Sequence, residues 1–363
     1  MPGSGERPRY AAPRILFPSF GPLMKLLLIC LAALVLLPPR GAVGESAHRS
    51  LPCQVASPIG TGQTEWKQIQ LDGAHCAFET PYRLYYRPGS EPDRLLIYFQ
   101  GGGACWDWVS CSEMFDTSVG RHELSDYRGI FDFTNPDNPF AEYTVVFVPY
   151  CTGDVHVGDT VQVYGEDAGG RPVHHQGARN VEQVLVWTKA QIQRPRHVVI
   201  AGASAGSYGA IFHTPQIARL YPSADIVTIG DSGVPLLNNS GEVLGAWGAH
   251  HSSLKEANVE AATARSVRAV VQVTSDQDAI QSAFYLISGS RAWRESSYEL
   301  LNGLEGELSN FFSFIVAGTD HGLMRTDAFY EYESSGVRLS KWVRKLIAGE
   351  RVESVRCETC VFK

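Results

Sequence analysis

The sequence predicts an α/β fold with a mostly parallel central sheet flanked by helices, and two observations carry that reading. Short apolar runs rich in β-branched and aromatic residues alternate with longer amphipathic stretches, and the apolar runs are near-continuous instead of alternating with polar residues. An unbroken apolar run suits a strand buried on both faces, the situation of a parallel strand covered by crossover helices. Such alternation implies right-handed crossovers and a site beyond the carboxyl ends of the strands.

The expected strands, in chain order, are Arg94 to Gln100, Tyr143 to Pro149, His197 to Ala201, Asp225 to Ile229, Ala269 to Thr274 and Phe311 to Ala317. Between them Ala178 to Gln193 and Ser207 to Tyr221 read as amphipathic helices, and a further helical stretch starts at Ala279. No internal repeat, low-complexity tract or long Pro/Gly linker marks a second domain, so residues 45–363 are expected to form a single catalytic domain.

Composition narrows the function classes. The 363 residues are 44% hydrophobic and 19% charged, as in a globular protein. A net charge of -7, with no cluster of Lys and Arg, provides no field for a phosphate backbone, which excludes nucleic acid as an expected partner. No feature demands self-association, and a monomer is expected.

Residues 1–44 read as a leader and secretory signal peptide. Met24-Lys25 opens an apolar run from Leu26 to Leu37, which ends at Pro38-Pro39-Arg40, and the small residues Ala42 and Gly44 then stand at the −3 and −1 positions of a cleavage site. The run falls short of the about 20 residues that a transmembrane helix needs. The expectation is export with cleavage near Gly44, translation starting at Met1 or Met24, and no membrane span after cleavage. Ile29 immediately before Cys30 argues against a lipoprotein acceptor cysteine.

Export allows thiols to pair. Beyond the leader lie Cys53, Cys76, Cys105, Cys111, Cys151, Cys357 and Cys360, an odd number, so at least one is expected to stay free or to pair outside the chain. Cys105 with Cys111 would staple a short glycine-rich loop. Cys53 with Cys76 and Cys357 with Cys360 are further candidate pairs. A lone CxxC with no second pair is a weak zinc signal, and no metal is expected.

The chemistry centres on Gly202-Ala203-Ser204-Ala205-Gly206, directly after the expected strand His197 to Ala201 and just before a helix. A serine on a tight strand-to-helix turn needs tiny neighbours two positions to either side, and the turn lifts its hydroxyl above the sheet. The pattern in this context is a nucleophile elbow, which makes the fold α/β-hydrolase-like, and the Ala205 N–H at the helix start points where an oxyanion would form.

A serine hydroxyl needs an adjacent base. In this fold the partners follow in the order Ser, acid, His, and His321 is the only histidine after residue 278. It follows the strand Phe311 to Ala317, in Gly318-Thr319-Asp320-His321-Gly322. His156, His174 and His175 violate the order, His250-His251 lie in a polar stretch, and all are read as solvated or structural. For the acid, Asp278 leads because its loop turns before a helix starts at Ala279, with Asp276 and Asp231 as rivals; Asp320 adjoins His321, and its side chain should diverge from the ring. Gly101-Gly102-Gly103 follow the strand Arg94 to Gln100, where a side-chain-free loop can offer backbone N–H groups to an oxyanion. No Lys-Ser/Thr pair follows them, as a phosphate-cradling loop would require. Trp106 and Trp108 either wall the substrate pocket or pack around the Cys105–Cys111 bridge.

The sequence resembles the pectin acetylesterase and Notum family of carboxylesterases in its microbial-type branch. The resemblance rests on Tyr98 to Cys105 with Cys111 six positions on, Val148 to Asp154, Gly177-Ala178-Arg179-Asn180, Gly202 to Gly206, Asp231-Ser232-Gly233, Asp278-Ala279-Ile280-Gln281, and His321. Gln100 and Ala104 differ from the residues usual in plant and animal members. The resemblance implies that Asp278 is the acid, in an Asp-x-x-Gln tetrad, that Asp231 belongs to a structural turn, and that Gly102, Gly103 and Ala205 supply the oxyanion donors. It implies an exported serine esterase that hydrolyses acyl esters, acetyl groups on a polysaccharide among them, through an acyl-enzyme on Ser204 and without a cofactor. The alternatives are a lipase, thioesterase or peptidase using the same residues on longer acyl chains or other substrates, and a binding protein of the same fold.

Overall fold

A computed structural model of the chain describes residues 66–120, 124, 127–165, 170–235, 240–250, 253–290 and 292–357. The expected leader, its cleavage site, Cys30, Cys53, His251 and Cys360 lie outside the described residues.

The main sheet is built from β1 (Lys67–His75), β2 (Pro81–Arg87), β3 (Glu91–Phe99), β4 (Tyr143–Val148), β7 (His197–Ala203), β8 (Asp225–Asp231), β9 (Val267–Ser275) and β10 (Phe311–Val316). Their order in space is β1-β2-β4-β3-β7-β8-β9-β10. Strands β4, β3, β7, β8, β9 and β10 run parallel, and β1 and β2 add an antiparallel edge. The parallel strands are the ones legible as apolar runs, because helices bury both their faces: β4 is buried at every residue, and β7 from Val198 onward. Strand β1 escaped that signal because it is a mostly exposed edge with the pattern KQIQLDGAH. The opposite edge, β10, is capped in part by Val355, whose C=O accepts the Ile315 N–H at 2.8 Å.

The described helices are α1 (Trp108–Glu113), α2 (Gly177–Gln191), α3 (Ala205–Leu220), α4 (Ser240–Ala246), α5 (Leu254–Thr263), α6 (Ala279–Ile287), α7 (Trp293–Glu307) and α8 (Leu339–Ile347). Helix α3 packs on β3, β7 and β8, and α5 on β9. A small hairpin of β5 (Thr160–Val163) and β6 (Pro172–His175) stands apart from the main sheet.

Register aligns the strand ends. Phe99 pairs with Gly202, Ala203 with Asp231, and Ser275 with Val316. The loops that carry Gly101 to Gly103, Ser204, Asp278 and His321 therefore all leave the carboxyl edge of one sheet, where open α/β sheets place their ligands.

Candidate active site

Ser204 sits between β7 and α3 with φ 57° and ψ −124°, a conformation that L residues adopt only where the surroundings impose it. Its N–H donates to the Asp231 C=O at 2.8 Å, and its C=O accepts the Ser207 N–H at 2.9 Å. The glycines two positions to either side are steric requirements. A Cβ on Gly202 would lie 2.1 Å from the Gly206 carbonyl oxygen, and one on Gly206 would lie 2.0 Å from that of Phe99.

His321 and Asp278 meet across 43 residues of chain: the imidazole Nδ1 stands 2.8 Å from one carboxylate oxygen and 3.0 Å from the other. A carboxylate only accepts, so Nδ1 carries a hydrogen, and in the neutral ring the lone pair then stands on Nε2. The Asp278 side chain is fully buried, and that of His321 is 12% exposed. Asp278 is also the N-cap of α6: one oxygen accepts the Gln281 N–H and the other the Gln281 side-chain amide, both at 2.9 Å. Gln281 in turn accepts the Val234 N–H at 2.7 Å, tying α6 to the turn after β8.

The rival carboxylates are engaged elsewhere. Asp276 accepts the Gly318 N–H at 2.9 Å and pairs with Arg294 at 3.1 Å. Asp231 accepts the N–H groups of Leu323 and Met324 and the Ser232 hydroxyl, while the Ser232 oxygen accepts the Gly322 N–H. Burial raises the Asp231 carboxyl above its ordinary range against these hydrogen bonds. Asp320 diverges from the ring and accepts the Tyr332 hydroxyl.

Gly103 bridges antiparallel to Phe115, and the two bonds of that bridge run from Asp116 N–H to Gly102 C=O and from Ala104 N–H to Met114 C=O. This pattern leaves the Gly103 N–H out of the ladder. At φ 78°, with a hypothetical Cβ 1.8 Å from the Met114 carbonyl oxygen, residue 103 must be glycine. The Ala205 N–H, at the first position of α3, likewise has no intrahelical partner. Cys105 is bonded to Cys111, Cys105 N–H donates to Gly153 C=O at 2.8 Å, and Cys105 C=O accepts the Trp247 indole N–H at 2.7 Å. The glycine loop is thus anchored at both its ends.

One pairing expected from the sequence is corrected: Cys76 is bonded to Cys151, not to Cys53. The bond joins the end of β1 to the loop after β4, a contact that linear spacing does not reveal. Cys357 is also disulfide-bonded.

Ser204 and His321 line one cleft with Gly103, Ala104 and Ala205, whereas Gly102 stands outside its lining. The walls are apolar and include Trp106, Val155, Tyr208, Val243, Leu244, Trp247 and Phe284. The two candidate tryptophans part here: Trp106 lines the cleft and packs on Phe284 at 5.9 Å, while Trp108 is 53% exposed and lies against Gly165. Burial, reinforced by the Asp278 carboxylate, pushes the Tyr208 phenol up, so it remains a hydrogen donor, bonded to the Val234 C=O at 2.9 Å. The remaining walls come from segments without a motif, and only the three-dimensional contacts identify them.

The other described histidines stand away from the cleft lining. His156 and His175 are buried, with Nε2 of His156 2.8 Å from the Gln100 C=O and Nδ1 of His175 2.9 Å from the Thr152 C=O. His174 lies 3.8 Å from Glu79, and His250 is exposed. Among the described residues no group of three or more His, Cys, Asp or Glu side chains is placed to hold a metal ion.

Comparison with known proteins gives this arrangement a family. Over 177 residues the chain is 28% identical to pectin acetylesterase 11 of Arabidopsis thaliana, covering 46% of this chain and 42% of that protein. Pectin acetylesterase 7 of the same plant is 27% identical over 189 residues, 48% of this chain and 47% of that one. The human palmitoleoyl-protein carboxylesterase NOTUM is 23% identical over 171 residues, 44% of this chain and 34% of that one. The chain thus matches less than half the length of these relatives. The sequence model of the pectinacetylesterase family matches residues 63–259, which holds Gly101 to Gly103, Ser204 and the Asp231 turn and ends before Asp278 and His321. With more than half of its length matched in this way, the chain belongs to the pectinacetylesterase family.

Proposed function

We propose that this protein is a serine carboxylesterase in which Ser204 is the nucleophile, His321 the general base and Asp278 the carboxylate that orients it. The observation that supports this most is the buried Asp278 carboxylate 2.8 Å from His321 Nδ1, with Ser204 and His321 lining the same cleft and Ser204 held on a strained turn.

The chemistry follows from the protonation states. Ser204 Oγ attacks the ester carbonyl carbon as its proton passes to His321 Nε2, and Asp278 stabilises the imidazolium without taking the proton. Negative charge gathers on the carbonyl oxygen, where the N–H groups of Gly103 and Ala205, both in the cleft lining, stabilise it. The imidazolium returns the proton to the departing alkoxide, leaving an acyl-Ser204 ester. Water then attacks that ester, again giving its proton to His321, and the acid leaves as Ser204 is restored. Nothing in the cycle calls for a metal or organic cofactor.

The pectin acetylesterases among the relatives point to acetyl esters on a polysaccharide. A second reading, longer acyl chains, is favoured by the cleft walls: Val155, Val243, Leu244, Trp247 and Phe284 would desolvate methylene groups, at about 0.8 kcal/mol each. Export fits both readings, since the Cys76–Cys151 and Cys105–Cys111 bonds suit an oxidising compartment. No described helix is long and apolar enough to cross a membrane.

The test is hydrolysis of 4-nitrophenyl esters from acetate to palmitate by the purified protein and by Ser204→Ala, with acetate release from acetylated pectin and xylan measured alongside. Equal rates for the two proteins remove the esterase reading. A rate maximum at acetate supports the acetylesterase, and a maximum at longer chains the alternative.

A further inference from the structure

The segment after β4 contains a turn whose residues run against the preference of its backbone. The Val157 N–H donates to the Asp154 C=O at 3.0 Å, closing a four-residue turn whose central residues, Val155 and His156, have φ values of 49° and 70°. Two consecutive positive φ angles are the signature of a type I′ turn, where Asn and Gly are preferred and a β-branched residue is an outlier. The surroundings over-determine this geometry. The Val155 N–H donates to the Tyr150 hydroxyl at 2.9 Å, the His156 N–H to the Asp154 carboxylate at 3.1 Å, and the His156 C=O faces His213 Nε2 at 2.8 Å.

The two side chains held this way face different targets. Val155 lines the cleft beside Ser204. The His156 ring packs between Phe99, Tyr150 and Gly209, and its Nε2 stands 2.8 Å from the Gln100 C=O, the last peptide before Gly101-Gly102-Gly103. A carbonyl only accepts, so Nε2 carries the hydrogen. Burial pushes the imidazole down to about 3, which keeps it neutral at working pH. A strained turn that places one side chain in the cleft and another on the oxyanion loop is where backbone strain is expected to serve function.

We infer that His156 is a positioning residue: through its hydrogen bond to the Gln100 carbonyl it sets the height of the Gly103 amide over the Ser204 hydroxyl. The inference rests on the esterase reading above and adds to it a residue that never touches substrate. Misplacing oxyanion donors weakens the transition state and leaves ground-state binding nearly untouched, so the signature is a fall in kcat with KM preserved.

The experiment compares wild type, His156→Phe, His156→Gln and Gly209→Ala with Leu301→Val as a remote core control. His156→Phe keeps a ring and loses the donor, and His156→Gln restores a donor. In Gly209→Ala the added methyl group would come 2.7 Å from the His156 ring, displacing it without changing it. Measured are kcat and KM for a 4-nitrophenyl ester, inhibition by an aryl trifluoromethyl ketone that forms an oxyanion adduct, the pH profile and the melting temperature. The expected result for His156→Phe and Gly209→Ala is a drop in kcat of about 10- to 100-fold and a parallel loss of ketone affinity, with KM within about twofold. The pH profile keeps its shape, because neutral His156 does not titrate there, and His156→Gln recovers part of the loss. Kinetics like those of Leu301→Val, with only the melting temperature lowered, overturn the inference. Should His156→Phe fail to fold, Gly209→Ala decides alone. A wild type that neither hydrolyses esters nor reacts with a fluorophosphonate probe sinks the esterase reading instead, a result distinct from active wild type with indifferent variants.

Discussion

Asp231 receives the backbone N–H of Met324 at 2.8 Å, a contact that spans 93 residues of chain and pins the loop carrying His321 to the end of strand β8. Its other oxygen takes the Leu323 N–H at 2.9 Å, and the neighbouring Ser232 oxygen takes that of Gly322 at 2.8 Å. Three consecutive peptides directly after His321 are therefore fixed to the strand that runs beside the Ser204 turn. In the proposed mechanism the imidazole owes its place to this clamp as much as to Asp278.

Asp231→Asn puts an amide NH2 where one backbone N–H needs an acceptor. The expected outcome is a fall in kcat of about 10-fold, as for a catalytic group moved by a fraction of an ångström, measured against wild type on the same ester. Unchanged kcat would show that the loop is held by other contacts.

Asp231 also gives a pH signature in stability. Its carboxyl is raised mainly by burial, so the folded state binds its proton more tightly than the unfolded chain. A raised folded value means that the stabilisation is fully present below the ordinary carboxyl value of 3.8 and is lost as pH rises through the higher folded value. Melting temperatures taken from about pH 3 to about pH 7 should therefore show the wild type losing ground to Asp231→Asn with rising pH. A constant difference between the two proteins contradicts the shift.

Asp278→Asn should abolish the correct imidazole tautomer and lower kcat by a factor on the order of 10⁴, with the low-field NMR signal of the His321 Nδ1 proton lost. Gln281→Leu removes one donor to Asp278 and the link to Val234 and should cost less, about 10-fold, with that proton signal moved but present. Asp276→Asn at near-wild-type kcat would accord with the assignment of Asp278, and an equal collapse would contradict it.

The two assigned disulfides should separate stability from activity. In the chain-entropy account, the Cys76–Cys151 bond, 75 residues apart, stabilises by about 4.5 kcal/mol, and the Cys105–Cys111 bond, six apart, by about 2 kcal/mol. Replacing both cysteines of each pair by serine should therefore lower the denaturation midpoint more for the first pair. Loss of the second should lower kcat more, because it frees the loop that carries the proposed oxyanion donors.

What the sequence determined by itself is what few residues encode among themselves. The near-continuous apolar runs of β3, β4, β7, β8, β9 and β10 announce a sheet covered on both faces, because burial acts on each strand wherever its neighbours lie. Gly202-Ala203-Ser204-Ala205-Gly206 announces its turn, because the steric demand is met within five residues. His321 stood out through chain order alone. Asp278 led among the carboxylates in the sequence and through the resemblance, but the tertiary structure supplied its contact with that imidazole, since Asp276 and Asp278 lie two positions apart on one loop and differ in where the loop points them. Only the tertiary structure decided that Cys76 pairs with Cys151, that Trp106 faces the cleft while Trp108 does not, and that Asp231 anchors a loop 93 residues away. Each of these depends on the register of parallel strands brought together by long crossovers. That register is fixed by the packing of the whole sheet, and no local stretch of sequence contains it.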